Sequence, residues 1–211
     1  MAKPDLMPLA GQERRELLEL LRGLDPQQWH APSLCDGWSV RDVAVHVVSY
    51  DALGWGQLGA VMVRARGSVS RANQALVDQH ANLDADGVLT LVERHVHPTG
   101  LTAAMGGAIA LTDGTIHQQD IRRALGLPRA IPAERLRPAL DVALGAPTLP
   151  AKGHARGLTL VADDMDWRHG SGPEVHGPGE ALLMAVAGRS IAIDELSGEG
   201  LATLRSRVSP G

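Results

Sequence analysis

Apolar residues recur at helical spacing through roughly the first 145 residues of this 211-residue chain, and no other feature constrains the fold as much. In residues 11–24, Leu17, Leu18, Leu21 and Leu24 fall on one helical face, with charged residues between them. This spacing predicts an amphipathic helix that buries its leucines. Phe is absent from the chain, so the core must consist mainly of aliphatic side chains.

A second helix is predicted to begin at Ser39. The Ser39 side chain can cap the first turn, and Asp42 stands three positions later, as in a capping box with Asp in place of Glu. No proline interrupts the segment up to Arg64, so the helix is expected to reach about that residue, although three glycines weaken its later part. Residues 26–38, which precede this helix, are expected to form a loop.

Three further helical segments are predicted before residue 145. They cover residues 70–97 with an interruption near 84–87, residues 108–125, and residues 132–144. Gly126 and Pro128 are typical residues for ending the second of these helices. The sequence therefore predicts a mainly α protein that begins with a helical bundle.

Residues 145–157 are rich in Ala, Gly and Pro, and this composition predicts a linker. Beyond it, residues 158–162, 165–168 and 174–176 read as short strands, and residues 180–189 and 193–207 read as helices. We therefore expect two domains, a helical bundle over residues 1–147 and a small α+β domain over residues 148–211.

Charge and hydropathy exclude some functional classes. The formal net charge is −4 and there is no run of basic residues, which disfavours nucleic-acid binding. No apolar stretch approaches the roughly 20 residues of a membrane span, and no secretory signal is visible, so a cytoplasmic protein is expected. The oligomeric state stays open.

One cluster of residues has the chemistry of a metal site. Asp113 and His117 are four residues apart on a predicted helix, so a carboxylate and an imidazole lie on one face. His46, at the rim of the apolar face of its own helix, is the best third ligand, and Asp120 is placed to orient His117. Two histidines and one carboxylate favour zinc with open coordination positions, although iron or nickel can use the same ligands. The alternative is a histidine that merely hydrogen-bonds to Asp113 between helices.

Three segments resemble the mycothiol-dependent maleylpyruvate isomerase family, a branch of the DinB-like metal-binding bundles. The first is Pro-Ser-Leu-Cys-Asp-Gly-Trp-Ser-Val-Arg-Asp-Val-Ala-Val-His at residues 32–46. The second spans residues 113–126, with Ile-His-Gln-Gln-Asp-Ile-Arg-Arg at 116–123. The third, looser segment comprises residues 157–161, Trp167, Gly177-Pro178 and residues 187–189.

The resemblance implies a DinB-like four-helix bundle with a metal held by His46, Asp113 and His117, followed by a small C-terminal domain. The family more often has Glu where Asp113 stands, and the shorter side chain is expected to shift or weaken the site. The resemblance also implies a catalytic role for Arg189, which would stabilise an anionic substrate or intermediate. It further implies mycothiol as the thiol cosubstrate.

Three functions follow as hypotheses. The first is metal-dependent use of a low-molecular-weight thiol, for S-transfer to a small electrophile or for its cis–trans isomerisation. The second is a non-catalytic metal-binding or thiol-binding module that acts as a sensor or partner protein. The third is a metal-assisted hydrolase. The substrate itself cannot be read from the sequence.

Three residues within or close to the first motif are interpreted as structural. Cys35, the only cysteine, is expected to be a packed small side chain rather than a nucleophile. Trp29 and Trp38 are expected to be core residues and not to contact a ligand.

Overall fold

The structure, a computed structural model, describes residues 4–208. It is mainly α-helical with a small β part, which confirms the predicted fold class. The chain divides into two compact units, the first ending at Arg129 and the second beginning at Ala130. The predicted boundary after residue 147 falls inside the second unit, because the helix Ala133–Gly145 packs against two helices that follow it.

The described part of the first unit is built from helices. They are α1 (Met7–Arg22), α2 (Pro26–His30), α3 (Val40–Ser49), α4 (Trp55–Arg64), α5 (Val69–Asp78), α6 (Ala85–Arg94) and α7 (Ala108–Ala124). Helices α1, α3, α6 and α7 form a closed ring, in which α1 and α3 each pack against both α6 and α7. They enclose a core of aliphatic side chains, among them Leu17, Leu21, Val43, Val47, Val88, Val92 and Ile121.

The predicted second helix is wrong in length, because the structure divides it into α3 and α4. The chain leaves α3 after Ser49, and α4 begins only at Trp55, with Gly54 as its N-cap. Between the two helices, Asp51 is buried and bonded to Arg14 of α1. This tertiary contact, together with the low helix propensity of the glycines, ends α3 where local sequence did not require it.

The structure also corrects the predicted loop at residues 26–38 and the predicted position of the break within residues 70–97. Residues 26–30 form the short helix α2, whose N-cap Asp25 accepts hydrogen bonds from two backbone N–H groups. The predicted third segment is interrupted, but before residue 85 rather than near 84–87, because Asp84 caps the N-terminus of α6. In both places an aspartate side chain starts a helix by satisfying backbone donors that would otherwise lack partners.

The second unit combines helices with a three-stranded sheet. Its elements are α8 (Ala133–Gly145), α9 (Ala151–Ala155), β1 (Thr159–Ala162), β2 (Trp167–Gly170), β3 (Glu174–Gly177), α10 (Gly179–Val186), a 3-10 helix (Ser190–Glu195) and α11 (Leu201–Val208). The predicted linker at residues 145–157 therefore contains the helix α9. The predicted helix at 193–207 is likewise replaced by the 3-10 helix and α11.

The sheet has the strand order β2-β1-β3. The central strand β1 pairs antiparallel with β2, with Thr159 opposite Gly170, and parallel with β3, with Thr159 opposite Glu174. Helix α10, whose side chains are almost all buried, packs against β1 and β3 and covers one face of the sheet.

Across residues 4–208, no helix combines the length and apolar character needed to cross a membrane.

Candidate metal centre

Helix α7 carries two of the three predicted ligands, and both of its ends are set by glycines. Gly107 at the N-cap has a φ of +82°, and a Cβ atom there would lie 2.9 Å from the backbone of Met7, so only glycine lets α7 start this close to α1. At the other end, Gly126 has a φ of +66°, and Leu127 N–H donates to the carbonyl of Arg122 at 2.8 Å. This is the Schellman geometry, and it ends α7 at Gly126, where the sequence predicted the end of the helix.

Helix α3 carries the third predicted ligand, His46. The predicted cap is present: the Ser39 side chain accepts from Asp42 N–H, and the Asp42 side chain accepts from Ser39 N–H. The cap fixes the helical phase of α3, and its valines pack into the core. The side chain of His46 is only 5% exposed, so it lies at the seam between α3 and α7 rather than in solvent.

The structure brings His46, Asp113 and His117 together. One ligand atom from each of the three lies within 4.8 Å of the others. Asp113 Oδ1 is 3.5 Å from His117 Nε2 and 3.7 Å from His46 Nε2. Asp113 is the most accessible of the three, with 34% of its side chain exposed, so the cluster is open on that side.

These separations are longer than an ordinary hydrogen bond and close to the distance between two ligand atoms of one small metal ion. A hydrogen bond from an imidazole N–H to a carboxylate oxygen is about 2.7–3.2 Å long. Zinc bound to nitrogen and oxygen at about 2.0–2.1 Å in tetrahedral geometry holds its ligand atoms about 3.4 Å apart. The observed 3.5 and 3.7 Å match the second arrangement. The residues present therefore fit a small divalent metal.

The other nitrogen of His117 is fixed by a carboxylate. His117 Nδ1 lies 2.9 Å from Asp120 Oδ2, and Asp120 is fully buried. A proton on Nδ1 directed at this carboxylate leaves the Nε2 lone pair facing Asp113 and His46. Metal-binding histidines are commonly oriented by such a carboxylate, as the sequence predicted for Asp120.

Cys35 takes part in the same network, which its interpretation as a packed small side chain did not include. Its thiol donates to Asp120 Oδ2 at 3.1 Å, and Sγ is 3.5 Å from His117 Nδ1. Cys35, His117 and Asp120 thus form a second set of possible ligands. The 2.9 and 3.1 Å separations in this set are hydrogen-bond lengths, so it orients His117 and is not a cation cavity.

The charges of the cluster shift the pKa values of all three predicted ligands. For His117, burial lowers the pKa, but Asp113, Asp120 and Cys35 together outweigh burial and raise it well above the usual range. For Asp113, burial raises the pKa, but the neighbouring His117 lowers it strongly. For His46, burial dominates and lowers the pKa despite the attraction of Asp113. At neutral pH without metal, Asp113 is thus ionised, His117 protonated and His46 neutral.

Two aromatic residues beside His46 were not predicted as part of the site. Trp38 is partly buried and packs against the core, as predicted, and its ring centroid lies 4.9 Å from that of His46. That Trp38 does not contact a bound ligand stays a prediction. Trp29, by contrast, is a buried core residue, as predicted. Tyr50 lies one turn after His46, with its ring perpendicular at 6.1 Å. Burial and the charge of Asp113 raise the pKa of Tyr50, so its hydroxyl keeps its proton. The four-residue spacing was the available signal for Tyr50.

Arg189, predicted as a catalytic residue, belongs to the second unit. It follows the C-terminus of α10 and precedes the 3-10 helix. Its Nη1 donates to the carbonyl of Ala187 at 2.8 Å, and its side chain is partly exposed. Its catalytic role stays a prediction.

Comparison with solved structures supports the fold. The crystal structure of a mycothiol-dependent maleylpyruvate isomerase matches with a TM-score of 0.53 and 18% identity, over 92% of this chain and 91% of that one. A histidine-to-alanine mutant of a mycothiol-dependent maleylpyruvate isomerase matches with a TM-score of 0.52 and 19% identity, over the same shares of the two chains. No curated protein matches the chain in sequence.

Part of the sequence also matches a protein-family model. The model of the mycothiol maleylpyruvate isomerase N-terminal domain matches residues 10–100, a range that includes His46, Cys35 and the first predicted motif. Over residues 10–100 this match agrees with the family that the motifs of the sequence resemble.

Proposed function

We propose that the chain binds one divalent metal ion through His46 Nε2, Asp113 Oδ1 and His117 Nε2. The observation that carries the proposal is the spacing of these atoms, which exceeds a hydrogen bond and matches the edge of a ligand tetrahedron. The donor chemistry favours zinc, and nickel or iron suits the same nitrogen and oxygen set. Three protein ligands leave a coordination position for an exogenous molecule.

We propose further that the chain is a thiol-dependent isomerase with mycothiol as the thiol. The family of residues 10–100 and the fold of the whole chain support this assignment. When bound, the metal would lower the pKa of a thiol at the open position, so that the thiolate forms near neutral pH. The thiolate would add to a carbon–carbon double bond of the substrate. Rotation about the resulting single bond and elimination of the same thiolate would then complete a cis–trans isomerisation without net consumption of thiol.

The protein residues would have separate tasks in this reaction. Asp120 and Cys35 hold His117 with Nε2 directed at the site. The charge of Asp113 reduces the net positive charge of a bound divalent ion. Arg189 is proposed to stabilise the negative charge that develops on the substrate when the thiolate adds. If the thiol–substrate adduct were released as the product instead of eliminating the thiol, the same residues would perform S-transfer.

The first test is elemental analysis of the purified protein beside two variants. We expect about one equivalent of zinc, nickel or iron in the wild type and its loss in His117→Ala. The matched control is His30→Ala, which removes an exposed histidine outside the cluster and should keep the metal. A wild-type protein that binds no metal after reconstitution would contradict the proposed site.

The second test is turnover of maleylpyruvate with and without mycothiol. Isomerisation that requires both metal and thiol supports the proposal. Turnover without any thiol would instead indicate metal-assisted hydrolysis or another water-based reaction. Tight thiol or metal binding with no turnover across a panel of small electrophiles would indicate a non-catalytic binding module.

A further inference from the structure

The two histidines of the candidate centre are oriented in different ways. His117 has its second nitrogen fixed by Asp120 at 2.9 Å. The second nitrogen of His46, Nδ1, is buried and has no hydrogen-bond partner within residues 4–208. A half-turn of the His46 ring would exchange Nε2 for a carbon atom and remove one ligand from the site. No hydrogen bond at Nδ1 opposes that rotation.

Packed rings surround His46 instead. The Trp38 ring centroid lies 4.9 Å away with its plane tilted by 51°, and the Tyr50 ring stands perpendicular at 6.1 Å. The His117 ring is also perpendicular, at 4.7 Å. These separations and angles are those of favourable aromatic contacts, each of which contributes beyond simple burial. The ring of His46 is therefore confined from several directions.

Trp38 and Tyr50 are themselves anchored to neighbouring residues of one helix. Trp38 Nε1–H donates to Gln74 Oε1 at 2.8 Å, and the Tyr50 hydroxyl donates to Asn73 Oδ1 at 2.5 Å. Asn73 and Gln74 are consecutive residues of α5, which packs against α3. Two side chains from opposite ends of α3 are thus connected to the same turn of α5.

We infer that Trp38 and Tyr50 are positioning residues for His46, and that α5 holds both of them through Gln74 and Asn73. The expected effect on zinc affinity rests on the proposed function, because the orientation of the His46 ring affects metal binding only if Nε2 is a metal ligand. Its geometric part, a single ring orientation imposed by two aromatic side chains, applies to the metal-free protein as well. In this arrangement, aromatic packing fixes the ring orientation of His46, whereas a hydrogen bond to a carboxylate fixes the ring orientation of His117.

The experiment combines NMR of the metal-free protein with a zinc-affinity measurement. We expect one set of His46 ring signals in the wild type, with nuclear Overhauser contacts to the Trp38 and Tyr50 rings. Trp38→Leu and Tyr50→Leu should give doubled or broadened His46 signals, and each should weaken zinc binding about tenfold in competition with a chelator, at the lower end of effects seen for outer-shell partners. Cobalt(II) spectra should report a changed ligand geometry in the same variants.

The control is Trp29→Leu, which makes the same change at a buried core position in the same unit. It should lower the free energy of unfolding but leave His46 signals and zinc affinity unchanged. Should Trp38→Leu fail to fold, the double variant Asn73→Ala, Gln74→Ala leaves both aromatic rings in place and removes their two anchors, together with an exposed hydrogen bond from Gln74 to Asp78. It should weaken zinc binding about threefold or more.

The possible results separate the two proposals. A single, unperturbed His46 orientation in Trp38→Leu and Tyr50→Leu would overturn the inference whether or not metal binds, as would an equal loss of affinity in Trp29→Leu. Wild-type protein that binds neither zinc, nickel nor iron, but whose His46 ring loses its fixed orientation in the two variants, would overturn the proposed function and support the positioning role.

Discussion

At the scale of single residues, Asp120 selects the nitrogen of His117 that faces the candidate centre. The carboxylate is fully buried and accepts hydrogen bonds from both His117 and Cys35. Asp120→Asn keeps the shape but removes the charge that holds the Nδ1 proton. We expect zinc affinity to fall about 10–100-fold. Competition with a chelator measures the zinc affinity of the variant and of the wild type.

Asp36→Asn is the control for this prediction, because Asp36 is an exposed aspartate in the same loop as Cys35. The variant should bind zinc like the wild type. An Asp120→Asn affinity within twofold of the wild-type value would contradict an orienting role for Asp120.

The protonation states of the two single residues His46 and His117 predict that metal binding releases a proton. Without metal, Asp113 raises the pKa of His117, so His117 is protonated at pH 7, whereas burial lowers the pKa of His46 and leaves it neutral. Only neutral imidazoles bind metal, so zinc should displace about one proton at pH 7, and affinity should rise with pH. Calorimetry in buffers of different ionisation enthalpy counts the protons. An enthalpy independent of buffer would contradict the prediction.

At the scale of elements, one buried ion pair fastens the end of α3 to α1. Arg14 Nη2 contacts Asp51 Oδ2 at 2.9 Å, and both side chains are almost fully buried. Asp51 also accepts from Thr99 N–H and the Thr102 hydroxyl, while Arg14 donates to the carbonyl of Val47. The pair therefore fixes α1, α3 and the loop after α6 together.

Asp51→Ala should lower the free energy of unfolding by roughly 3–5 kcal/mol, because it leaves the Arg14 charge buried without its partner. Urea unfolding measures the change. The contrasting variant is Glu93→Ala, which breaks the exposed Arg22–Glu93 pair and should change stability by less than about 1 kcal/mol. Equal effects of the two variants would show that burial of the pair does not matter.

At the scale of the whole molecule, the metal ligands belong to the first unit and Arg189 to the second. If Arg189 acts on the substrate, Arg189→Ala should lower kcat of the thiol-dependent reaction by about 100-fold and leave metal content unchanged. Steady-state kinetics and elemental analysis on the same preparation test both parts. Arg205→Ala, which removes an exposed arginine of the second unit, is the control. Loss of metal in Arg189→Ala would contradict a role confined to the substrate.

The sequence by itself determined those parts of the protein that depend on neighbours along the chain. Helical spacing, the Ser39 cap and the Gly126 ending are local, and they predicted α1, α3 and α7. The spacing of Asp113 and His117 is local too, because residues four apart on a helix always share a face.

Only the tertiary structure decided the features that depend on which helices meet. The break after α3 follows from the Arg14–Asp51 contact, which joins residues 37 positions apart. The contact of Cys35 with Asp120 spans 85 positions, and the rings around His46 are held by α5. Such contacts leave no periodic signal in the sequence, because their energy comes from packing between elements that are distant along the chain.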